Sequence, residues 1–380
     1  MTQKLEVDAL LEAAQAKAKS DAFGDMWFLE PLNVLVDALN AEAKLNEIGF
    51  AYSQHRLTSL LVDRLRLRQY QKDHPEVLDV EVRLVAEICG LPRTGSTLLH
   101  RLLAASPQLT STDNWECYYP LPFPGEVAGE IRKGKAEKMM EMALAASPDL
   151  AKIHTVRWDE PEEDILLLDR TFTDMGFDSF YWVPSYGVWL RSFDQSKAYK
   201  ELREWYQVLQ HQDPSRVGKL WVGKSPHHLT AVDTVLDEFP DTKIVMTHRD
   251  VTSAVPSYAS MVHNLSTPYS GDLDKPAIGR YWSERFVEAL TKLADSHARR
   301  PERFIDVPFT QTVSDPLGTA HRVMAELGLT VGDEDERAFT DYIARNKEEK
   351  HGSHSYTAEE YGLSAEQLAH DFRFYTEEYL

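Results

Sequence analysis

A glycine-bearing loop between a predicted strand and a predicted helix carries the residue types that bind anionic oxygen groups. Residues 90–97 have the glycine spacing of a Walker A loop, but Ser96 stands where that loop has its lysine. Gly95 allows the backbone to approach a ligand, Arg93 adds a fixed charge, and hydroxyl donors come from Thr94, Ser96 and Thr97. The loop therefore predicts an anion site that is poorly suited to ATP or GTP hydrolysis. An ordinary strand-to-helix turn is the alternative.

Two further motifs follow predicted strands. Residues 224–228, Lys-Ser-Pro-His-His, would lie at the carboxyl edge of the sheet, where ligands bind in open α/β folds. A basic turn containing proline is the alternative interpretation. Arg249 follows the next strand, and Ser257 lies eight residues later on a predicted helix. Such a pair can bind one phosphate from two sides, although an Arg–Asp pair near a helix end would also explain Arg249.

Together, the three motifs resemble those of sulfotransferases that use 3′-phosphoadenosine 5′-phosphosulfate (PAPS). The loop is similar to the Leu-Pro-Arg-Thr-Gly-Ser-Thr sequence of the bacterial branch, matched here by residues 91–97. The resemblance implies that the 5′-phosphosulfate is bound by Arg93, Thr94, Gly95, Ser96 and Thr97. It also implies that Arg249 and Ser257 bind the 3′-phosphate. The Lys-Ser-Pro-x-His-Leu segment of the family is matched by residues 224–229.

The chain departs from the family pattern in two places. Many members have lysine where this chain has Arg93, so bidentate recognition would replace a point charge. The late Arg-Lys-Gly element that many relatives use does not follow the second motif. Lys347, Lys350 or His354 are the candidates for that missing contact.

Sulfuryl transfer to a hydroxyl is an in-line displacement that needs a base, cations at the leaving group and aligned reactants. A sulfuryl group carries less negative charge than a phosphoryl group, so Arg93 and Lys224 could serve without a metal. His228 is the candidate base because an imidazole titrates near neutral pH. Glu116 is the rival base, and His154 is a weaker third candidate.

The acidic run 159–164 and the paired histidines have structural as well as functional interpretations. An acid-rich first helical turn explains the run, although one of its carboxylates could orient the acceptor or the base. His227 and His228, with His351 and His354 elsewhere, could suggest a metal. They lack a cysteine or carboxylate frame, so no metal site is predicted.

The strongest aromatic cluster is the segment 180–189, Phe-Tyr-Trp-Val-Pro-Ser-Tyr-Gly-Val-Trp. It could line an apolar pocket for a phenol, a sterol or a lipid alcohol, and it could equally be core packing. The expected acceptor is therefore a small, apolar hydroxyl compound whose identity stays open.

Strands alternating with helices would position these motifs. Leucines at helical spacing predict helices through the first eighty residues, ending near Pro75. Strand-like runs lie at 83–89, 219–223, 243–247 and 303–307. This order predicts a P-loop-type three-layer α/β/α fold with a central parallel sheet and helical additions. The expected organisation is an N-terminal helical region (1–80) packed on the core, a sulfotransferase-like α/β core (81–330), and a C-terminal helix with a surface tail (331–380).

Composition restricts the function further. The chain has 380 residues, with 61 acidic against 41 basic side chains and a net charge of −20, which disfavours binding to nucleic acid or to an anionic membrane. Two cysteines cannot form a disulfide framework, which indicates a reduced cytoplasmic location. No apolar run is long enough for a transmembrane segment. We expect a cytoplasmic PAPS-dependent sulfotransferase. The alternatives are a P-loop small-molecule kinase, which would need another lysine, and a non-catalytic nucleotide-binding module; the oligomeric state stays open.

Overall fold

The centre of the protein is a parallel β-sheet. A computed structural model describes residues 3–146, 157–348 and 356–380. The strands in these ranges are β1 (Leu84–Gly90), β2 (Leu109–Thr110), β3 (Leu220–Lys224), β4 (Lys243–His248) and β5 (Phe304–Pro308). They lie in the order β2-β3-β1-β4-β5, and each neighbouring pair is parallel. The four predicted strands are confirmed, whereas β2 is too short to leave a recognisable sequence pattern.

Helices make up most of the rest of the described chain. They are α1 (Val7–Ala18), α2 (Leu29–Ala41), α3 (Glu47–Asp73), α4 (Ser96–Ala104), α5 (Asn114–Tyr118), α6 (Glu130–Ala146), α7 (Ile165–Leu168), α8 (Gly176–Phe180), α9 (Pro184–Leu190), α10 (Ser196–Gln212), α11 (Val232–Glu238), α12 (Val251–Ser266), α13 (Lys275–Arg299), α14 (Phe309–Ser314), α15 (Pro316–Glu326), α16 (Asp333–Glu348), α17 (Ala365–Asp371) and α18 (Arg373–Tyr379). Short 3-10 helices span Pro75–Asp79, Asp169–Thr171, Pro214–Arg216, Pro226–Thr230, Pro301–Arg303 and Glu359–Tyr361. Among these described helices, none combines the length and apolar character needed to cross a membrane.

Alternate side chains of the strands pack against different helical layers. Along β4, Val245 belongs to the apolar cluster that contains residues of α4, α15 and α16. Its neighbours Ile244 and Met246 belong to the cluster that contains residues of α10, α11, α12 and α13. Successive side chains of a strand point to opposite faces, so both faces of the sheet are covered. The predicted three-layer α/β/α fold is confirmed.

The N-terminal helices form a second apolar cluster together with the aromatic segment around α8 and α9. Leu35 and Leu61 are buried against Phe172, Tyr181 and Tyr186. The Tyr186 hydroxyl donates to the carbonyl oxygen of Phe172 at 3.1 Å. Core packing therefore explains the two buried tyrosines of the aromatic segment.

The C-terminal segment 356–380 contributes to the main core. Leu368, Phe372 and Tyr375 are buried in the same cluster as α12 and α13. The Tyr375 hydroxyl lies 2.9 Å from Nδ1 of His248, the last residue of β4. The expectation of a surface tail is corrected here, because these apolar residues recur at helical spacing and pack inward.

Candidate active site

The loop between β1 and α4 is shaped by two residues with left-handed backbone conformation. Arg93 has φ = 72° and Gly95 has φ = 82°. A Cβ on Gly95 would lie 2.9 Å from the Phe309 ring, so both conformation and space require glycine. The Thr94 hydroxyl is buried and donates to the Leu91 carbonyl at 2.7 Å. Thr94 could therefore offer an anion only its backbone N–H, whereas Ser96 and Thr97 are partly exposed in the first turn of α4.

The structure brings Arg249 onto this loop. Its Nη1 donates to the carbonyl oxygen of Arg93 at 2.6 Å, and its guanidinium lies 4.3 Å from the centre of the Phe309 ring. Ser257 is partly buried about two turns along α12, the helix that starts just after Arg249. The loop after β1 and the segment after β4 are adjacent because Gly90 pairs with Thr247. Two of the predicted motifs thus meet at the carboxyl edge of the sheet.

Two positive charges are held close together at this edge. Desolvation and the neighbouring charge of Arg249 lower the pKa of Arg93. Like charges in proximity repel, and an anion placed beside them would relieve that repulsion. The electrostatics of the edge therefore fit a phosphate or sulfate group.

Lys224 lies at the end of β3, next to the strand from which the loop departs. It pairs with Ile88 in the sheet register. Its side chain is 1% exposed, and its Nζ lies 2.6 Å from Oε1 of Glu163 and 3.9 Å from Oε1 of Glu162. The Glu163 side chain is 23% exposed, against 6% for Glu162. Glu163 is therefore the partner of Lys224 that reaches the surface.

The acidic run does not form a first helical turn, because α7 begins at Ile165, after its last member. The prediction that residues 159–164 form an acid-rich first helical turn is therefore wrong. Its carboxylates instead have separate partners: Glu160 contacts Arg101 at 2.5 Å, Glu163 contacts Lys224, and Asp164 contacts His228. The run therefore supplies charges to α4, to the end of β3 and to the 3-10 helix that follows β3.

His228 lies in a buried network of charged and hydroxyl groups. Its Nδ1 is 2.7 Å from the Tyr199 hydroxyl, and its Nε2 is 2.9 Å from Asp164 Oδ1 and 3.1 Å from Glu87 Oε1. The Tyr206 hydroxyl donates to the other oxygen of Asp164 at 2.6 Å. Both nitrogens of the fully buried imidazole contact protein groups. This geometry favours a structural role, and the role of His228 as the base stays a prediction.

The buried network retains protons. Burial alone would lower the pKa of His228, but the carboxylate of Glu87, with Tyr199 and Asp164, raises it well above its usual value. Burial and the charge of Asp164 raise the pKa of Glu87 to about 8. Asp164 keeps a lowered pKa because His228 and the Tyr206 hydrogen bond outweigh its burial. The pKa directions indicate an imidazolium paired with Asp164 beside a Glu87 that is largely neutral at pH 7.

Glu116 has two structural partners. It belongs to a capping box at the start of α5, where its Oε2 accepts from the backbone N–H of Asp113 at 3.0 Å. The same oxygen accepts from Nη2 of Arg216 at 2.6 Å. The side chain is 5% exposed. These contacts favour a structural role, and base catalysis by Glu116 also stays a prediction.

Comparison with known proteins identifies the family. A model described as the sulfotransferase family matches residues 87–333. The chain belongs to the sulfotransferase family. A curated relative, the omega-hydroxy-beta-dihydromenaquinone-9 sulfotransferase of Mycobacterium bovis, is 26% identical over 303 residues, which are 74% of this chain and 70% of the relative. The Mycobacterium tuberculosis protein of the same name matches to the same extent.

Two solved sulfotransferase structures share the whole fold. The sulfotransferase STF1 from Mycobacterium tuberculosis superposes with a TM-score of 0.85 at 30% identity, covering 97% of this chain and 98% of its own. The sulfotransferase STF9 from Mycobacterium avium superposes with a TM-score of 0.88 at 25% identity, covering 99% and 97%. The N-terminal helices and the C-terminal segment, which the sequence motifs did not reach, are therefore part of the shared fold.

Sequence reasoning missed one charged residue of this sulfotransferase and left two others without partners. In the sequence, Glu87 is only one residue of a predicted strand, and Glu163 and Asp164 are only members of the acidic run. Glu87 is the one acid in the otherwise apolar β1, Leu-Val-Ala-Glu-Ile-Cys-Gly. A carboxylate in such a strand is costly unless it is paired, so the strand itself carried a usable signal.

Several predicted residues fall outside what the structure describes. His154, Lys350, His351 and His354 lie outside the described residues, and so does the side chain of Lys347. Their proposed roles as a base, a metal ligand or a late phosphate contact stay predictions. Within the described ranges, His227 is buried and its Nε2 lies 2.9 Å from Gln195 Oε1.

Proposed function

We propose that the protein transfers a sulfuryl group from PAPS to the hydroxyl of a small, apolar acceptor. The observation that carries this proposal is the pairing of Arg93 and Arg249 at the first turn of α4, with Arg249 donating to the Arg93 carbonyl at 2.6 Å. Membership of the sulfotransferase family supports sulfuryl transfer over phosphoryl transfer. Ser96, in place of the Walker A lysine, supports the same choice over a kinase.

The donor's phosphate groups would bind on either side of this arginine pair. Backbone N–H groups at the start of α4 and the hydroxyls of Ser96 and Thr97 would contact the 5′-phosphosulfate, together with Arg93. Arg249 and Ser257 would contact the 3′-phosphate. Arg249 uses one of its five donors on the loop carbonyl, which orients the guanidinium. The residues present thus match the chemistry of the donor.

Lys224 and Glu163 would act on the leaving group and on the acceptor, because Lys224 ends the strand beside the one from which the loop departs. Lys224, with Arg93, would stabilise the negative charge that develops on the oxygen bridging sulfur and phosphorus as the sulfur–oxygen bond breaks. The acceptor oxygen forms the new bond to sulfur, and adenosine 3′,5′-bisphosphate leaves with the electron pair. The displacement needs the proton of the acceptor hydroxyl to be removed.

We propose that Glu163 is the base that removes this proton. Its carboxylate is oriented by Lys224 at 2.6 Å and reaches the surface, whereas Glu116 and His228 are buried among protein partners. Glu116 and His228 remain the candidates that the sequence favours, and variants at each position distinguish the three. A base must reach the reacting hydroxyl, and Glu163 meets that requirement best.

The acceptor is proposed to be an apolar alcohol. The curated relatives are named for a hydroxylated menaquinone, which is a lipid alcohol. In this chain, Tyr118 is 39% exposed and follows Cys117, whose Sγ lies 3.8 Å from the carbonyl oxygen of Glu163. An exposed aromatic ring one residue from this contact would suit an apolar acceptor beside the base.

Calorimetric titration with adenosine 3′,5′-bisphosphate tests the donor site. We expect tight binding without added metal, and weak or no binding of ATP with magnesium. Arg249→Ala should raise the Kd about ten- to a hundredfold, since a hydrogen bond to a charged group contributes about 1.5–3 kcal/mol. Arg299→Ala removes an exposed arginine that pairs with Asp233 at 2.6 Å and should leave the Kd unchanged.

Turnover with labelled PAPS then tests the transfer itself. Hydroxylated lipids, sterols and phenols are compared as acceptors at one enzyme concentration. Binding of ATP alone, or of neither nucleotide, would contradict the donor assignment. Binding of the bisphosphate without transfer to any of these acceptors would contradict the proposed acceptor class and favour a nucleotide-binding module.

A further inference from the structure

Two histidines and a glutamate meet at the amino-terminal side of the sheet. His74 directly follows α3, Glu76 belongs to the 3-10 helix Pro75–Asp79, and His211 lies in the last turn of α10. One ligand atom from each residue lies within 4.8 Å of the other two. The side chains of His74, Glu76 and His211 are 46%, 60% and 24% exposed. An ion could therefore reach them from water.

The distances from the two imidazole nitrogens to the Glu76 carboxylate fit binding to a shared metal ion better than direct hydrogen bonds. Nδ1 of His74 lies 3.5 Å and Nε2 of His211 lies 3.3 Å from the same oxygen, Glu76 Oε1. An ordinary N–H···O hydrogen bond has a donor–acceptor distance of about 2.7–3.2 Å. Ligand atoms of a tetrahedral zinc ion, with bonds of about 2.0–2.1 Å, lie about 3.3–3.4 Å apart. The separations of 3.5 Å and 3.3 Å are close to that tetrahedral edge.

Tyr70 holds both imidazoles in place. Its hydroxyl lies 2.8 Å from Nδ1 of His211, so that Nδ1 can carry the proton and Nε2 can bind a metal. Its ring centre lies 4.7 Å from that of His74. Metal-binding histidines in proteins commonly have such a partner on the second nitrogen, which fixes the tautomer and the ring orientation.

The electrostatic environment also favours a cation. Both α3 and α10 end at this cluster, and a helix carries partial negative charge at its carboxyl terminus. Glu76 adds a full negative charge. Two neutral imidazoles and one carboxylate are ligands that zinc prefers, and zinc sites with three protein ligands keep water in the fourth position.

We propose that His74, Glu76 and His211 bind a divalent transition-metal ion, Zn²⁺ in the first instance. The ion would connect the end of α3 to the end of α10. The cluster precedes the amino end of β1, whereas the anion-binding loop leaves its carboxyl end. The metal is thus separate from the transfer site and has a structural role, and the expectation that sulfuryl transfer itself needs no metal is unaffected.

Titration of the full-length, tag-free protein with ZnCl₂ after removal of metals tests this site. We expect one Zn²⁺ per chain, and a visible Co²⁺ spectrum of tetrahedral type. His74→Gln and His211→Gln should each weaken binding by more than about a hundredfold, and Tyr70→Phe by about tenfold. His321→Gln is the matched control, because it breaks another exposed histidine–glutamate pair, His321 with Glu336 at 2.6 Å.

Thermal unfolding provides a second readout. Zn²⁺ should raise the Tm of the wild type, because a ligand that binds only the folded state stabilises it. The increase should vanish in Glu76→Gln, whose exposed position makes a folding defect unexpected, and persist in His321→Gln. No stoichiometric binding by the wild type, or equal affinity in the wild type and the His74→Gln and Glu76→Gln variants, would overturn the proposal.

Discussion

Charge is arranged in opposite ways at the carboxyl edge of the sheet and in the buried network of Glu87, Asp164 and His228. At the edge, Arg93 and Arg249 lie close enough for Arg249 to lower the pKa of its neighbour, and both are accessible to solvent. In the buried network, which we also call the buried layer, Glu87, Asp164 and His228 are fully buried, and His228 pairs with both carboxyl groups. The first arrangement would be completed by the proposed anionic ligand. The second is complete within the protein.

This contrast explains where a base can lie. A group whose charge is already compensated inside the core is poorly placed to exchange a proton with a bound acceptor. Lys224 and Glu163 lie at the boundary, with one partner buried and the other reaching the surface. The proposed base, Glu163, is therefore the residue that contacts a buried cation and also reaches the solvent-accessible edge.

The largest expected effect is a loss of turnover when the carboxylate of Glu163 is removed. We expect Glu163→Gln to lower kcat about 10²- to 10⁴-fold, because a positioned base contributes about that much to proton transfer. The Kd for adenosine 3′,5′-bisphosphate should stay the same, since the arginine pair is untouched. Steady-state kinetics and calorimetry on the same preparation measure both quantities.

Asp159→Asn serves as the control for Glu163→Gln. Asp159 belongs to the same acidic run, and its exposed carboxylate pairs with Arg157 at 3.3 Å. Its removal should change kcat little. A Glu163→Gln enzyme with wild-type kcat would return the base to His228 or Glu116.

His228→Gln should destabilise the buried network and leave the arginine pair at the edge unchanged. Without the imidazolium, the fully buried carboxylate of Asp164 loses its cation, which costs about 3–5 kcal/mol of unfolding free energy. Urea unfolding measures this loss. The double variant Asp164→Asn/His228→Gln should recover part of it, because the uncompensated carboxylate is gone.

Activity per folded molecule decides the role of His228. If the network is structural, His228→Gln keeps its bisphosphate affinity and most of its kcat at a temperature well below its Tm. A variant of wild-type stability that has lost turnover would instead identify His228 as the base, as its position in the sequence indicates.

The parts of this site that the sequence predicted are local in the chain. The loop at 90–97 and the segments after β3 and β4 each follow a short apolar strand, and parallel strands bring their carboxyl ends to one edge. The positions of four of the five described strands and the three-layer fold could therefore be predicted from the order of residues alone. The meeting of Arg249 with the Arg93 carbonyl follows from the same rule.

The buried layer could not be predicted in the same way. Glu87, Asp164 and His228 come from three separated segments, and nothing local in the chain shows that they pair. The sequence also favours His228 as a base because an imidazole titrates near neutral pH, and a sequence does not show that this imidazole is buried. The acidic run is misinterpreted for a related reason: two of its partners, Lys224 and His228, lie about 60 residues downstream, and Arg101 lies upstream.

The buried network of Glu87, Asp164 and His228 should also make stability fall as pH rises through neutrality. The folded pKa values of Glu87, about 8, and of His228 are raised, so their stabilisation is complete below the unfolded values and is lost as pH rises through the folded ones. We expect the Tm to fall between about pH 5, near the unfolded pKa of a glutamate, and about pH 8, with a further loss above about pH 6.5 from His228. Glu87→Gln should flatten this decline, since a neutral amide cannot release a proton. Glu288→Gln, at an exposed ion-paired carboxylate, should leave the decline unchanged; a wild-type Tm that is constant over the range would contradict a proton-retaining network.

The smallest expected effect lies at the open edge, in Arg93→Lys. Lysine keeps the positive charge, and the Arg93 backbone carbonyl that accepts from Arg249 is retained, but the planar fork that can bind two oxygens of one anion is lost. We expect the Kd for adenosine 3′,5′-bisphosphate to rise about three- to tenfold, which corresponds to about 0.7–1.4 kcal/mol. The Tm should not change, because an exposed side chain at the edge contributes nothing to the buried layer. A loss of stability with unchanged affinity would show that Arg93 belongs to the compensated charges of the core and not to the ligand-binding edge.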